Sequence, residues 1–506
     1  LGLWWRTGRH LRVRQAIAWL GRRWRGVRLH NLAGPAPEVR LPNGKRNWVE
    51  GCPVRRSPEQ EAATRLGGYL RHYHDELRAP SNELHVEEWL KHWIASNPPG
   101  RGPAWEPYPL SRRIVNWVWW LNGDSNREFT ASLAMQARAL RRQIEHDLGA
   151  NHLWANAKAL VFAGCYFAGR ESEEWLRAGR RLLREELAAQ VLRDGGHIER
   201  SPMYHALVLE DLLDLLNLAR RYPDEMAELE APLREAARSM LRWFARMTHS
   251  DGVATVFGDT APGSTPRGPE LSLYAERLGV ETGERRAGAV EVLGNSRYVR
   301  LERAGWTLWF DRGGVAPDYQ PGHAHAAILS FELDWQGERL FVHPGISTYE
   351  RNRVRQWERG TAAHNTLRLN GRDQSEMWAA FRVGRRARAH GHREGEKGGE
   401  VWAEAAHDGY APVEHRRRIG VGRDGVRLVD RLVGRRTEWH EVELSFHLAP
   451  EWRASLLPGG RVAIRRVGSE RVAWQLSVPE GLAAWVEPAS IHLDFGASIG
   501  TGRILL

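Results

Sequence analysis

The apolar residues of this chain change period part-way along, and that change limits the fold more than any other property. From about residue 57 to 250 they recur at helical spacing, as in Leu207-Val208-Leu209 with Leu212-Leu213 and Leu215-Leu216, then Met240-Leu241 with Trp243-Phe244. Recurrence every three or four residues puts them on one face of an α-helix. After a Gly/Pro-rich stretch from Phe257 to Pro269, one further helix fits 270–279. The pattern then becomes alternation: Tyr298–Arg303, Trp306–Phe310 and Val426–Val433 are β-rich and parted by Gly turns. Such segments read as strands. The charged, Gly-rich stretch His390–Glu400 reads as a hairpin loop. The fold class is therefore α+β and multidomain: helical hairpins over residues 1–285, then an antiparallel β-sandwich over 286–506, with the boundary inside 280–292. A chain of 506 residues exceeds the roughly 250–300 over which one core keeps growing, so two large domains are expected.

Composition excludes several classes. No run of about 18 apolar residues exists, so no transmembrane helix and no membrane insertion are expected. Leu1–Arg25 is rich in Trp and Arg and lacks the apolar core of a secretory signal. A leader removed before Leu1 is compatible with this start, which leaves localisation open. The net charge of +11 is carried mainly by arginine, whose planar fork suits carboxylate and sulfate. Abundant Arg, Ala and Gly with few Lys also follow from a GC-rich genome. No zinc-finger spacing, basic zipper or RNP-like motif is present, so no nucleic-acid partner is expected. Cys52 and Cys165 are the only cysteines, and the second sits in an apolar helical run, so no disulfide framework is expected.

Five segments carry chemistry. Asn151-His152 opens the most apolar helix. Asn151 reads either as its N-cap or, with His152, as an anion site at a helix N-terminus able to hold a substrate carboxylate. Tyr204 follows the turn Gly195-Gly196 and the polar run from His197 through Glu199 and Arg200, and heads a helix running to Tyr222. It reads as a core tyrosine or as an acid/base group in a polar cleft. His323 and His325 alternate with Ala, so an extended strand points both to one face; His343 and His364 follow in strands or at their ends. Three neutral imidazoles suit zinc, and buried, hydrogen-bonded histidines are the plain alternative. Trp105 lies in the fourth segment, where Arg113 and Asn116 share a helix face at i,i+3, a spacing suited to sugar hydroxyls and carboxylates as well as to core packing. The fifth is the arginine-dense loop Tyr349–Arg359, where an arginine such as Arg355 would bind an acidic polymer.

Taken in order, Asn151-His152, Gly195–His205, Gly322–His325, Val342–Gly345 and Ala363–Thr366 resemble the heparinase II/III-like polysaccharide lyases, over nearly the whole chain. The resemblance implies an incomplete (α/α) toroid followed by an antiparallel β-sandwich, with the cleft between them. It implies β-elimination at a uronic acid: a base removes the C5 proton, the 4-O-glycosidic bond breaks, and a 4,5-unsaturated product is left. Asn151 and His152 match the positions that neutralise the uronate carboxylate. Tyr204 matches the tyrosine acting as base, acid or both, and His323 the histidine that supports it or acts from the opposite ring face. A tyrosinate is scarce at neutral pH, so Tyr204 needs neighbours that lower its pKa. His325, His343 and His364 match a divalent-metal site, expected to hold structural zinc, with no organic cofactor. Several relatives carry Asp at the position of His343, and many carry an acid at the position of Ala327. The resemblance favours a periplasmic or secreted protein acting on an acidic polysaccharide, with heparan sulfate, hyaluronan or chondroitin ahead of alginate. The alternatives are a glycoside hydrolase on the same toroid, using acids such as Glu106, Asp251 and Asp259, and a non-catalytic binder of acidic polysaccharide.

Overall fold

The computed structural model describes residues 2–25, 29, 32–45, 47–53, 64–78, 85–281, 288–434 and 439–506. The first part is helical. Helices α1 (Gly2–Gly8), α2 (Val13–Arg25) and α3 (Arg65–Leu70) precede α4 (Val86–Ser96), α5 (Pro107–Leu121) and α6 (Arg127–Arg142). Then come α7 (Ala150–Tyr166), α8 (Arg170–Gln190), α9 (Pro202–Arg221), α10 (Pro223–Arg246) and α11 (Gly268–Arg277). Neighbours pair in sequence, α7 on α8 and α9 on α10, while α5 and α9 also lie against α7. The make-up of α7 explains its central place: its run of Ala, Leu, Val and Phe is apolar on every side, and every residue but His152 is buried. By contrast α8 and α10 carry charged outer faces and bury one stripe each.

The second part is antiparallel. One sheet runs in chain order through β1 (Val290–Leu293), β2 (Tyr298–Arg303), β3 (Trp306–Asp311), β4 (Phe331–Trp335) and β5 (Glu338–Phe341). After β6 (Leu367–Leu369) and the small hairpin of β7 (Met377–Trp378) with β8 (Arg382–Val383), a second sheet holds β9 (Ala389–Lys397), β10 (Glu400–Tyr410), β11 (Val413–Gly422) and β12 (Gly425–Val433). Strands Val442–His447, Trp485–Asp494 and Ala497–Leu505 join β6 in a third sheet, and a three-stranded sheet spans Trp452–Ser477. The first sheet is buried on both faces, and alternation shows how. Trp309 of β3 packs in the helical core and its Nε1 donates to the carbonyl of Arg246 at 2.7 Å, while Leu308 and Phe310 enter the sandwich core.

The boundary expected at 285/286 lies outside the described residues; α11 ends at Arg277 and β1 starts at Val290. Three local expectations are corrected. His390–Glu400 is mostly strand, with only Gly398-Gly399 at positive φ making the two-residue turn between β9 and β10. Asn151 is not an N-cap: Gly149 (φ +70°) caps α7, and Asn151 stands inside its first turn. Gly322–His325 is a turn, not a strand. With no extended backbone there, His323 and His325 need not share a face, and they do not.

Candidate active site

A cavity of about 1170 Å³ lies between the helices and the sheets, and Asn151, His152, Tyr204 and His323 all reach its wall. Local chemistry sets each in place. Ser201 caps α9 by accepting the Tyr204 N–H at 3.3 Å, and its hydroxyl donates to the Asp259 carbonyl at 2.5 Å. With Pro202 at the first helical position, the start of α9 is fixed and Tyr204 faces the cavity one turn in. The Tyr204 ring stacks on His323, with centroids 3.7 Å and planes 13° apart. Its hydroxyl lies 2.8 Å from that of Tyr349.

Glu199 joins two of these groups. One carboxylate oxygen pairs with His323 Nδ1, and the other accepts the Asn151 N–H at 3.1 Å. Burial works to raise the Glu199 pKa, but the attraction and hydrogen bond of His323 outweigh it and hold the group below its ordinary value. Glu199 is thus a carboxylate at the N-terminus of α7, the favourable end of the helix dipole. That amide, expected for a substrate carboxylate, is already used. Asn151 still reaches the cavity wall, and its side-chain Oδ1 is buried with no hydrogen-bond partner. His152 Nδ1 lies 3.0 Å from Glu145, which also accepts from Asn156 at 3.1 Å. Burial lowers the His152 pKa, yet the Glu145 charge and hydrogen bond prevail and keep it above its ordinary value. Tyr204 goes the opposite way to the expectation: burial first, then Tyr349 and Asp259, drive its pKa well above the ordinary tyrosine value, so it stands protonated.

Several expected substrate contacts are elsewhere. Trp105 is buried and donates from Nε1 to the Asn97 carbonyl at 3.1 Å. Arg113 is fully buried, its fork spent on Gln136 and the carbonyls of His72 and Ala104. Asn116 donates to the Tyr73 carbonyl and to Asp75. None of the three lines the cavity; Arg113 and Asn116 tie neighbouring loops to α5, and Trp105 joins two loop segments. Glu199 acts behind the wall rather than on it. Arg200, at φ +57°, clamps the two halves together through Asp311 and the carbonyls of Ser296 and Gly314. Arg355 is fully buried with both terminal nitrogens 2.6 Å from Asp259, whereas Arg351 of the same loop does reach the wall. Of the acids a hydrolase would need, Glu106 lines the cavity and meets Tyr69, Asp251 sits at the surface on Arg339, and Asp259 is locked by Arg355 and His325. Tyr349 and Glu145 were not singled out in sequence. Tyr349 alone carried a signal, as the first residue of the arginine-dense loop.

His325, His343 and His364 gather behind the cavity. His325 Nδ1 and His364 Nε2 are 3.1 Å apart, and the rings of His343 and His364 are 5.1 Å apart. The other nitrogens are held as a metal-bound histidine requires: His325 Nε2 by Asp259 at 2.8 Å, His343 Nδ1 by the Val256 carbonyl at 2.8 Å, His364 Nδ1 by the Gly360 carbonyl at 2.7 Å. His343 Nε2 is buried without a partner. Burial keeps all three imidazoles neutral, with His325 pushed down to about 4. The donor chemistry fits a divalent ion, but the nitrogens stand as a pair with a neighbour; no group of three His, Cys, Asp or Glu side chains among the described residues is already arranged around an ion.

The heparinase II/III N-terminus family matches residues 73–268, and the heparinase II/III-like C-terminal family matches 285–502. The chain belongs to the heparinase II/III family. It is 26% identical over 429 residues to a heparin-sulfate lyase of Bacteroides thetaiotaomicron, covering 73% of this chain and 58% of that protein. It is 25% identical over 481 residues to FtsZ-localized protein C of Caulobacter vibrioides, covering 84% of this chain and 78% of that one. The crystal structure of heparinase III superposes with a TM-score of 0.67 at 19% identity, covering 98% of this chain and 82% of that chain. The order described above, a helical N-terminal part followed by antiparallel sheets, agrees with that match.

Proposed function

We propose that this protein is a polysaccharide lyase that cleaves a uronate-containing glycosaminoglycan by β-elimination, with heparan sulfate the first substrate to test. One observation carries the reading: Tyr204 and His323 lie stacked on the wall that Asn151 and His152 also reach, with Glu199 bonded behind. A proton next to a carboxylate is barely acidic, so the site must neutralise that carboxylate and stabilise the charge that develops. The raised pKa of His152 supports an imidazolium paired with the uronate, and Asn151, which reaches the same wall, would offer its side-chain amide N–H as a donor beside it. His323, with Nδ1 on the Glu199 carboxylate, presents Nε2 as base for the C5 proton. The C5–H electrons form the C4=C5 double bond, the C4–O4 bond breaks, and the protonated Tyr204 hydroxyl supplies the proton that O4 takes up. This division reverses the roles for which a tyrosinate would be needed, and the raised Tyr204 pKa is its reason.

A divalent ion, zinc by ligand type, would be held by His325 Nδ1 and the Nε2 atoms of His343 and His364. Its contribution would be structural, cross-linking the turn that carries His323 to the segments bearing His343 and His364.

The test is a panel of heparan sulfate, hyaluronan, chondroitin and alginate, read by the ultraviolet absorbance of the unsaturated product. Turnover on at least one polymer, lost in Tyr204→Phe and His323→Ala, is the expected result; no absorbance rise on any of them overturns the reading. A second reading is a non-catalytic protein that keeps the cleft, raised by one matched relative being named for FtsZ localisation and not for a lyase activity. Glycan binding without turnover, unchanged in Tyr204→Phe, would support that one.

A further inference from the structure

Helix α2 is attached to the molecule the wrong way round for a soluble protein. Gln15 on one side is buried and donates to the carbonyls of Leu148 and Tyr319 at 3.3 and 3.2 Å, and Arg22 pairs with Asp147 at 2.9 Å. The polar face is therefore the docked face. Val13, Ile17 and Leu20, spaced i, i+4 and i+7 and so aligned on one side, are 77%, 65% and 46% exposed. An amphipathic surface helix ordinarily buries that stripe. Among the described residues no core cluster includes these side chains, so their apolar character calls for an occupant outside the described fold.

The charge around the stripe narrows the occupant. Residues 1–25 contain seven arginines and no acid. Arg9 is exposed beside the stripe, as are Arg12, whose guanidinium lies over the Tyr319 ring, and Arg14, which pairs with Glu185 at 3.0 Å, and Trp5 of α1 is 71% exposed nearby in sequence. Val13, Ile17 and Leu20 are aliphatic and offer no flat face for a sugar ring, which argues against the polysaccharide as the occupant of the stripe itself. Two copies docking here would bring like charges together, and three side chains fall far short of the roughly 20–30 residues a side of a stable interface. An apolar stripe flanked by arginine, on a helix lying flat on the body, is the arrangement that enters the headgroup layer of an anionic bilayer.

We infer that α2, with the exposed tryptophan of α1, docks this protein peripherally on an anionic lipid surface, independently of any reaction in the cleft. This is attachment to a membrane face and differs from insertion, since no helix among the described residues is long and apolar enough to cross. The cleft opens beside the same helices, because Trp4, Leu11 and Trp19 also line it. Docking would thus hold the cleft mouth close to the surface.

The experiment is co-sedimentation of the whole chain with vesicles of phosphatidylcholine alone and of phosphatidylcholine mixed with phosphatidylglycerol. Binding to the anionic vesicles, weakened by salt and absent with neutral ones, is expected. The triple variant Val13→Asp, Ile17→Asp, Leu20→Asp should lose about tenfold or more of that affinity, with an unchanged circular dichroism spectrum because the side chains are exposed. Arg9→Glu with Arg12→Glu should weaken it as well. Failure to bind anionic vesicles, or equal binding by the triple variant, overturns the proposal. So does a concentration-dependent dimer that the triple variant abolishes, which would assign the stripe to a second copy.

Discussion

Replacing Glu199 by Gln isolates the connection on which the proposed reaction depends. The carboxylate is buried and bonded to His323 Nδ1 and to the Asn151 N–H at 3.1 Å. Glutamine keeps the volume, but it loses the charge that stabilises His323 once that ring has taken a proton. It also has one oxygen for two N–H groups, so its amide nitrogen must face one of them. A hydrogen bond to a charged partner is worth about 1.5–3 kcal/mol, and each 1.36 kcal/mol is tenfold in rate, so kcat should fall by roughly 10- to 150-fold. Because Glu199 is not part of the cavity wall, KM should change by less than about threefold, the signature of an interaction stronger in the transition state than in the ground state. Initial rates by ultraviolet absorbance over a range of substrate concentrations, on protein whose melting curve shows it folded, give both constants. If kcat stays within about twofold, or the whole loss falls in KM, the assignment of His323 as the base supported by Glu199 is wrong.

Tyr349→Phe removes the hydroxyl 2.8 Å from that of Tyr204; loss of one neutral hydrogen bond, about 0.5–1.5 kcal/mol, should slow turnover about two- to twelvefold in the same assay. Asp259→Asn leaves Arg355 and His325 without the buried carboxylate they share, and a buried pair broken on one side costs about 3–5 kcal/mol, so thermal unfolding should show a much lower Tm even where some fold remains. His249 of the helical half faces Asp334 at 2.9 Å and Glu332 at 3.3 Å on β4, and although burial lowers its pKa, these carboxylates raise it from 6.5 to about 9. A raised folded pKa stabilises fully below the unfolded value and loses that effect as pH climbs, so on the order of 3 kcal/mol should disappear between pH 6.5 and 9. Denaturant unfolding across that window should show the loss in the wild type and not in His249→Gln.

The succession of helices and strands was readable because burial imposes period: α7 is mostly apolar and buried at every residue but His152, and β3 alternates because its two faces enter two cores. The four candidate catalytic residues were readable as a set, and the structure brings Asn151, His152, Tyr204 and His323 to one cavity. Arg113 and Asn116 were misread because i,i+3 spacing specifies a shared face and not what that face meets; here it meets the loop at Tyr73–Asp75 and Gln136. Arg355 illustrates the same limit: nothing in an arginine-dense loop says which fork a buried aspartate 96 residues upstream will take.

The sequence by itself therefore determined the two-part architecture, the order of its elements and the residue types available for acid/base work, since each follows from local periodicity and side-chain chemistry. Tertiary structure decided everything that depends on groups distant in sequence. It split His323 from His325 by turning the backbone, joined Asn151 to His323 through Glu199, kept Tyr204 protonated by burying it against Tyr349, and turned the apolar stripe of α2 outward. These outcomes are set by desolvation and by which charges come within a few ångströms, quantities that exist only once the chain has folded.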